Sequence, residues 1–209
     1  KEKEENFSQD GLPRIKGFIN DSFIKANGEA FFPWGFNYTN PQFVGLIEDS
    51  WHRDSTWKII VEDFAEMKKY KANTVRIHLQ YGKFMKDKDT SNKRSLKKLK
   101  KLIQLAEDNR LYLIITGLGA YRESDVPVWY DKMNDEQRWQ TQKIFWKSVA
   151  ATAGSSPAIL CYDLINEPAV GSGCNNPNDC DWLPGKGFGG YHFVQNISLE
   201  PGNSYWDTM

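Results

Sequence analysis

Residues 158–168 read AILCYDLINEP, an apolar run of strand length that ends in Asn166, Glu167 and Pro168. The β-branched and aromatic residues of the run favour an extended backbone, and Pro168 lacks the N–H that a longer strand would need. We therefore predict a buried strand that ends where an amide and a carboxylate reach the surface. Because ligands of parallel α/β proteins bind at the carboxyl ends of the strands, we expect Asn166 and Glu167 to lie in a binding site.

The same alternation of strand and helix precedes this stretch three times. Apolar runs begin near Phe31, Asn73, Leu111 and Ala158, about 40 residues apart, which is typical of βα units with parallel strands. Apolar residues at helical spacing separate the runs and predict the connecting helices, the second of which is expected to begin near Ser95.

Local signals predict a hairpin and a helix start. Asn27-Gly28 lies between two short apolar runs and predicts a β-hairpin. Asn134, with Gln137 three residues later, has the pattern of a capping box.

Two segments lack the patterns of regular secondary structure. Residues 1–22 are polar and mixed, and we expect an irregular lead-in there. Residues 169–203 are rich in Gly, Asn, Asp and Pro and predict a long loop after the fourth strand.

Composition argues against several classes of partner. The 27 basic and 27 acidic residues cancel, so no nucleic-acid partner is expected, because that binding depends on excess positive charge. No apolar run reaches the roughly 20 residues that span a bilayer, so no membrane partner is expected. No His–Cys grouping has metal-ligand spacing, and Gly117-Leu118-Gly119 lacks the third glycine of a dinucleotide-binding turn. We interpret that segment as a flexible loop and predict neither a metal nor a cofactor.

The sequence has three cysteines. Cys161 lies inside the fourth apolar run and is expected to be a small buried residue. Cys174 and Cys180 bracket a turn-rich loop, where a local disulfide and two free thiols are both open. A disulfide there would suit an exported protein, and we expect an extracellular or periplasmic location.

Four βα units fit two architectures. A doubly wound sheet would be complete near this length, whereas a closed eight-stranded barrel typically needs about 250 residues. Polar side chains at the four predicted strand ends, namely Asn37, His78, Thr116 and Glu167, would share one mouth in a barrel. This pattern favours an α/β chain that forms an N-terminal hairpin and four of the eight strands of a TIM (β/α)8 barrel.

The pattern resembles the (β/α)8-barrel glycoside hydrolases of the clan that includes family 5 cellulases and mannanases. Three stretches carry the resemblance: FPWGFN at 32–37, ANTVRIH at 72–78 and YDLINEP at 162–168. The resemblance implies that residues 1–209 are the N-terminal half of a catalytic barrel. It also implies a retaining two-carboxylate hydrolysis of O-glycosidic bonds in a β-linked oligo- or polysaccharide.

In that clan the glutamate after the fourth strand is the general acid/base, which corresponds to Glu167. The preceding amide, here Asn166, holds the sugar 2-hydroxyl, and the second-strand arginine, here Arg76, steadies the nucleophile carboxylate. An ion pair between Arg76 and Asp163 is the structural alternative for the arginine. The nucleophile belongs to the seventh strand end, which this sequence does not include, so the chain alone is expected to be inactive.

Further side chains are candidates for sugar contact. Asn37 and His78 would line the cleft, although His78 also fits a core histidine. Flat aromatic rings stack on sugars, and the high aromatic share of 14% is consistent with such platforms or with core packing. The candidate platforms are Trp34, Tyr38, Tyr121, Trp129 and Trp182. Many family 5 members carry a histidine after the third strand, where this sequence reads TGLGAY at 116–121.

Two other functions fit the sequence. One is a non-catalytic carbohydrate-binding protein on the same fold, in which Glu167 only hydrogen-bonds a sugar. The other is a complete small α/β domain with an unrelated role.

Overall fold

The chain enters through a three-stranded antiparallel sheet. The computed structural model describes residues 11–19, 22–40, 42, 46–120, 125–166, 169–170 and 196–197. In it β1 (Ile15–Ile19), β2 (Ser22–Lys25) and β3 (Ala30–Phe31) pair in that order. The predicted hairpin is confirmed, since β2 pairs antiparallel with β3 and Gly28 has a φ of 86°, which glycine adopts readily.

β1 corrects the expectation of an irregular lead-in. It pairs with β2, and the ring of Phe18 packs edge-on against Phe23 across the pair at 4.9 Å. Contacts across a strand pair stabilise short strands. The polar composition of residues 1–22 gives no sign of such a contact, because the contact depends on the partner strand.

Four parallel strands follow. They are β4 (Gly35–Asn37), β5 (Thr74–Gln80), β6 (Tyr112–Gly119) and β7 (Ile159–Asp163), hydrogen-bonded in chain order. A doubly wound sheet reverses its strand order at a switch point, and these four strands show no such reversal. The parallel sheet predicted from the four apolar runs is therefore confirmed.

Six helices lie between or beside these strands in the described ranges. They are α1 (Ile47–Ser50), α2 (Asp54–Lys69), α3 (Tyr81–Phe84), α4 (Lys93–Asp108), α5 (Val128–Asp131) and α6 (Asp135–Ala153). The capping box of Asn134 and Gln137 is confirmed at the start of α6. α4 begins two residues before Ser95, because the Asn92 side chain accepts hydrogen bonds from the backbone N–H groups of Arg94 and Ser95. None of the helices in the described residues is long and apolar enough to span a bilayer.

The hydrophobic core lies between the parallel sheet and the long helices. On β5, Val75, Ile77 and Leu79 are 0%, 1% and 1% exposed. They belong to one cluster with side chains of the three long helices, including Phe64, Leu102 and Phe145. We call the helix-covered side of the parallel sheet its outer face and the opposite side its inner face.

The segment at Gly117 is strand rather than a flexible loop, which corrects our expectation. A Cβ on Gly117 would lie 2.3 Å from the ring of Trp146 on α6, so glycine is needed there because a helix packs against the strand backbone. The next residue, the buried Leu118, has a φ of 53°. It lies where the register of β6 with β5 shifts, so a bulge bends the carboxyl end of β6.

Cys161 lies on the inner face and is exposed, with a free thiol. This corrects the expectation of a buried residue. No described helix packs on the inner face at that position, so a side chain in the middle of β7 remains open to solvent. The predicted loop at 169–203 contributes one described feature, a short parallel pair of β8 (Ala169–Val170) and β9 (Asn196–Ile197).

Candidate active site

The inner face of the parallel sheet carries a polar cluster that reaches the carboxyl ends of β4 and β7. Arg76 on β5 is in register with Asn37 on β4. Two residues further along β5, His78 is in register with Thr116 on β6, which in turn is in register with Asp163 on β7. Since side chains alternate along a strand, these residues face the same side of the sheet. The strands thus bring together residues far apart in sequence.

Arg76 is the centre of this cluster. Its Nη2 donates to Oδ2 of Asp163 at 2.6 Å and to Oδ1 of Asn166 at 3.0 Å. Its Nη1 donates to Oδ1 of Asn37 at 3.4 Å. The ion pair with Asp163, given above as the structural alternative for Arg76, is confirmed. The predicted contact of Arg76 with a nucleophile carboxylate stays a prediction.

Asp163 was predicted only as a possible ion-pair partner of Arg76, and its place in the candidate site was not predicted. Its Oδ2 accepts a second hydrogen bond, from Oγ1 of the fully buried Thr116 at 2.8 Å. One signal could have identified it: a carboxylate in an otherwise apolar strand needs a charged or hydrogen-bonding partner nearby. Arg76 is the matching cation in the strand interior two βα units earlier.

His78 is partly buried beside this ion pair. Burial, followed by the positive charge of Arg76, lowers the pKa of His78 below its ordinary value, and the Asp163 carboxylate opposes that effect. The lowered pKa favours the neutral imidazole, which can both donate and accept a hydrogen bond.

A buried carboxylate that we did not anticipate lies at the same edge of the sheet. Glu48 on α1 accepts hydrogen bonds from the backbone N and from Nε2 of Gln80, at 2.8 and 3.1 Å. Burial raises the pKa of Glu48 to about 7. Glu48 lies in the four-residue helix α1, and no local sequence pattern distinguishes it from a solvated acidic residue.

Two predicted sugar platforms lie away from the polar cluster. Trp34 precedes β4, and its carbonyl accepts hydrogen bonds from the backbone N–H groups of Asn73 and Thr74 at the start of β5, so it lies at the amino edge of the sheet. Tyr38 lies one residue beyond Asn37, and its hydroxyl donates to Oδ2 of Asp63 on α2 at 2.6 Å. These positions do not support stacking of either ring at the inner-face mouth.

Trp129 also takes part in packing. It lies on α5, and its ring is 5.8 Å from the ring of Tyr81. Four other predicted residues lie outside the described residues together with the Cys174–Cys180 pair: Tyr121, Glu167, Pro168 and Trp182. Glu167 directly follows Asn166, which is the last described residue before residues 167–168. Within the described ranges no group of His, Cys, Asp and Glu side chains could hold a metal ion.

Comparison with known proteins agrees with this fold. The family model of the cellulases, glycosyl hydrolase family 5, matches residues 25–182. No curated protein sequence matches the chain.

Among solved structures, the chain is similar to the exo-β-1,4-mannosidase Op5Man5 from Opitutaceae bacterium strain TAV5. That match has 20% identity and a TM-score of 0.57, and it covers 70% of this chain and 27% of that one. The Cel5A endoglucanase of Pseudomonas stutzeri is 22% identical with a TM-score of 0.40, over 52% of this chain and 32% of the endoglucanase. A GH5_18 protein from Bifidobacterium longum subsp. infantis is 13% identical with a TM-score of 0.47, over 54% of this chain and 29% of that chain.

The chain thus spans less than a third of the length of each of these solved structures. The family model covers most of the present sequence, including the β5 arginine, the β7 aspartate and the Asn166-Glu167 pair. The four parallel strands and their helices correspond to the first four βα units of a TIM barrel. The chain belongs to the cellulase family, glycosyl hydrolase family 5.

Proposed function

We propose that this chain supplies half of the active site of a retaining glycoside hydrolase that acts on a β-linked oligo- or polysaccharide. The observation that carries the proposal is the hydrogen bond from Arg76 to Asn166 at 3.0 Å. It ties the amide that precedes Glu167 to the polar cluster that reaches the carboxyl ends of β4 and β7, in a chain of this family. Ligands of TIM barrels bind at that edge.

Glu167 is the proposed general acid/base. Cleavage of a glycosidic bond requires a proton on the leaving-group oxygen, so the acid must keep its proton near neutral pH. In the second half of a retaining reaction the same carboxylate removes a proton from the attacking water. Asn166 is proposed to donate a hydrogen bond to the sugar 2-hydroxyl, a contact that strengthens in the transition state.

The nucleophile is proposed to come from a strand outside this sequence. Retaining enzymes place two carboxyl groups about 5–5.5 Å apart, and Asp163, the carboxylate of the described cluster, is already bonded to Arg76 and Thr116. The chain covers 27% of the Op5Man5 structure, which supports the same assignment. The 209-residue chain alone is therefore expected to hydrolyse no glycoside.

The test is Glu167→Gln in the complete protein that contains this chain, assayed on a panel of aryl β-glycosides and β-linked polysaccharides. We expect a loss of about 10²–10⁴-fold in polysaccharide hydrolysis, the usual contribution of a general acid/base. With an activated aryl leaving group, added azide should restore turnover and give a β-glycosyl azide, because azide needs no general base. Glu62→Gln on the exposed face of α2 is the matched control and should leave activity unchanged.

Full activity of Glu167→Gln would remove the acid/base assignment. Tight binding of a polysaccharide without turnover by the wild-type protein would instead favour the non-catalytic carbohydrate-binding function.

A further inference from the structure

Asp163 joins three strands through one oxygen atom. Its Oδ2 accepts from Nη2 of Arg76 on β5 at 2.6 Å and from Oγ1 of Thr116 on β6 at 2.8 Å. The first bond joins two charged groups, and such bonds are shorter and stronger than neutral ones. The hydroxyl of Thr116 belongs to a fully buried side chain, so it gives the carboxylate a rigid second contact.

The Arg76 guanidinium, which is bonded to Asp163, also donates a hydrogen bond to Asn166. Nη2 of Arg76 carries two N–H groups, and it bonds both Asp163 and Oδ1 of Asn166. Arginine only donates hydrogen bonds, so Asn166 must turn its carbonyl oxygen towards Arg76 and its Nδ2 away. The orientation of this amide therefore depends on the position of Nη2, which the Asp163 carboxylate sets.

The ion pair lies where it adds little to the fold. The side chains of Arg76 and Asp163 are 27% and 33% exposed, and partly exposed ion pairs contribute little to stability. Its main physical consequence is geometric: it fixes the position of a guanidinium that donates hydrogen bonds to both Asn37 and Asn166.

We propose that Asp163 is a positioning residue, which holds Arg76 and through it fixes the side-chain amide of Asn166 with Nδ2 facing the ligand. The effect of Asp163 on catalysis rests on the proposed hydrolase function, whereas its effect on the amide does not. The family model and the fold do not assign this role, and the hydrogen-bond chain from Asp163 to Asn166 is what supports it.

The structural test is NMR spectroscopy of the protein with 15N-labelled asparagine side chains. Asp163→Asn removes the charge that anchors Nη2, so the Nδ2 signals of Asn166 should shift or broaden as the amide samples both orientations. The pKa of His78 should also fall further, because Asp163 opposes its lowering. Unchanged Asn166 signals would overturn the proposal even if the His78 titration shifts, because that shift reports only the loss of the Asp163 charge.

Asp63→Asn is a matched control. Oδ2 of Asp63 also accepts two side-chain hydrogen bonds, from the hydroxyl of Tyr38 at 2.6 Å and from Nδ2 of Asn40 at 2.7 Å, but it lies on the helix side of the sheet. This variant loses the same charge and should leave the Asn166 signals unchanged. If Asp163→Asn does not fold, Thr116→Val deletes only one of the two contacts of the carboxylate and should shift the Asn166 signals in the same direction by less.

The catalytic test is a double-mutant cycle in the complete protein. Asp163→Asn should lower kcat/KM for a β-glycoside about 10- to 100-fold, the scale of a small misplacement in an active site. In an Asn166→Ala background the same change should cost less than about 2-fold, because residues that act through one another are not additive. Equal losses in the two backgrounds would show that Asp163 acts independently of Asn166.

The two proposals can fail separately. If Glu167→Gln keeps full activity, the proposed hydrolase mechanism fails, and the NMR measurements still decide whether Asp163 positions the amide. If the cycle is additive while Glu167→Gln is inactive, the positioning role fails and the mechanism stands.

Discussion

The two faces of the parallel sheet differ in what their side chains contact. On the outer face of β5, Val75, Ile77 and Leu79 are buried against helices. On the inner face of the same strand, Arg76 and His78 are partly exposed, and Arg76 bonds side chains from β4 and β7 and the amide of Asn166. Alternate residues of one strand therefore serve the core and the site, and a substitution should affect stability or activity according to the face it changes.

The largest predicted contrast is between neighbouring residues of β5. Ile77→Ala should lower the free energy of unfolding by about 2–5 kcal/mol, the usual cost of truncating a buried aliphatic side chain. His78→Ala, on the other face, should change it by less than about 1 kcal/mol. Denaturant titration of both variants measures the difference, and equal losses would contradict the division of roles between the faces.

Glu48 tests the carboxyl edge, where a buried carboxylate contacts the end of β5. Its folded pKa of about 7 exceeds the ordinary 4.5, so the folded state binds the proton more tightly than the unfolded state. The contribution of Glu48 to the free energy of unfolding should therefore fall by about 3 kcal/mol as pH rises from about 4.5 to about 7, and stay level above that range.

Glu48→Gln isolates this contribution. The amide resembles the protonated carboxyl, and the side-chain amide of Gln80 can turn to accept a hydrogen bond from it. The difference in unfolding free energy between wild type and variant should grow in favour of the variant between pH 4.5 and pH 7. A difference that does not vary with pH would show that Glu48 is not buried as a carboxylate at this edge.

Gly117 tests the outer face by the addition of an atom instead of its removal. A Cβ there would meet the ring of Trp146 at 2.3 Å, so Gly117→Ala should force the ring or α6 to move and cost about 1–3 kcal/mol. Gly17→Ala is the control, because nothing lies within 4 Å of a Cβ at that position. Thermal unfolding of the two variants measures the effect, and equal melting temperatures would contradict the close packing of α6 on β6.

The sequence predicted the helices and strands better than it predicted which side of the sheet each side chain faces. Apolar runs mark strand centres whatever the register, and Asn134 and Asn27-Gly28 act through local backbone chemistry, so the sheet, the capped helix and the hairpin were found. Tyr38 was expected beside Asn37 at the mouth, but consecutive residues of a strand face opposite sides. Trp34 was misplaced because β4 begins only at Gly35.

The polar cluster was predicted in part. Arg76 and Asn166 were identified because each lies in a short motif, ANTVRIH at 72–78 and YDLINEP at 162–168. The same two residues are hydrogen-bonded to each other in the structure. Asp163 and Glu48 have roles that depend on partners far away in sequence, Arg76 and Gln80. Those pairs depend on the register of the sheet and on the position of α1 beside the end of β5.

The most direct test of the account is Arg76→Ala in the complete protein, with stability and activity measured on the same sample. We predict a loss of at least about 100-fold in kcat/KM on a β-glycoside, since a misplaced active-site group costs about that much. The free energy of unfolding should change by less than about 1 kcal/mol, as for a partly exposed ion pair. Retained activity, or a stability loss as large as that of Ile77→Ala, would contradict the claim that the inner face carries the chemistry and the outer face the fold.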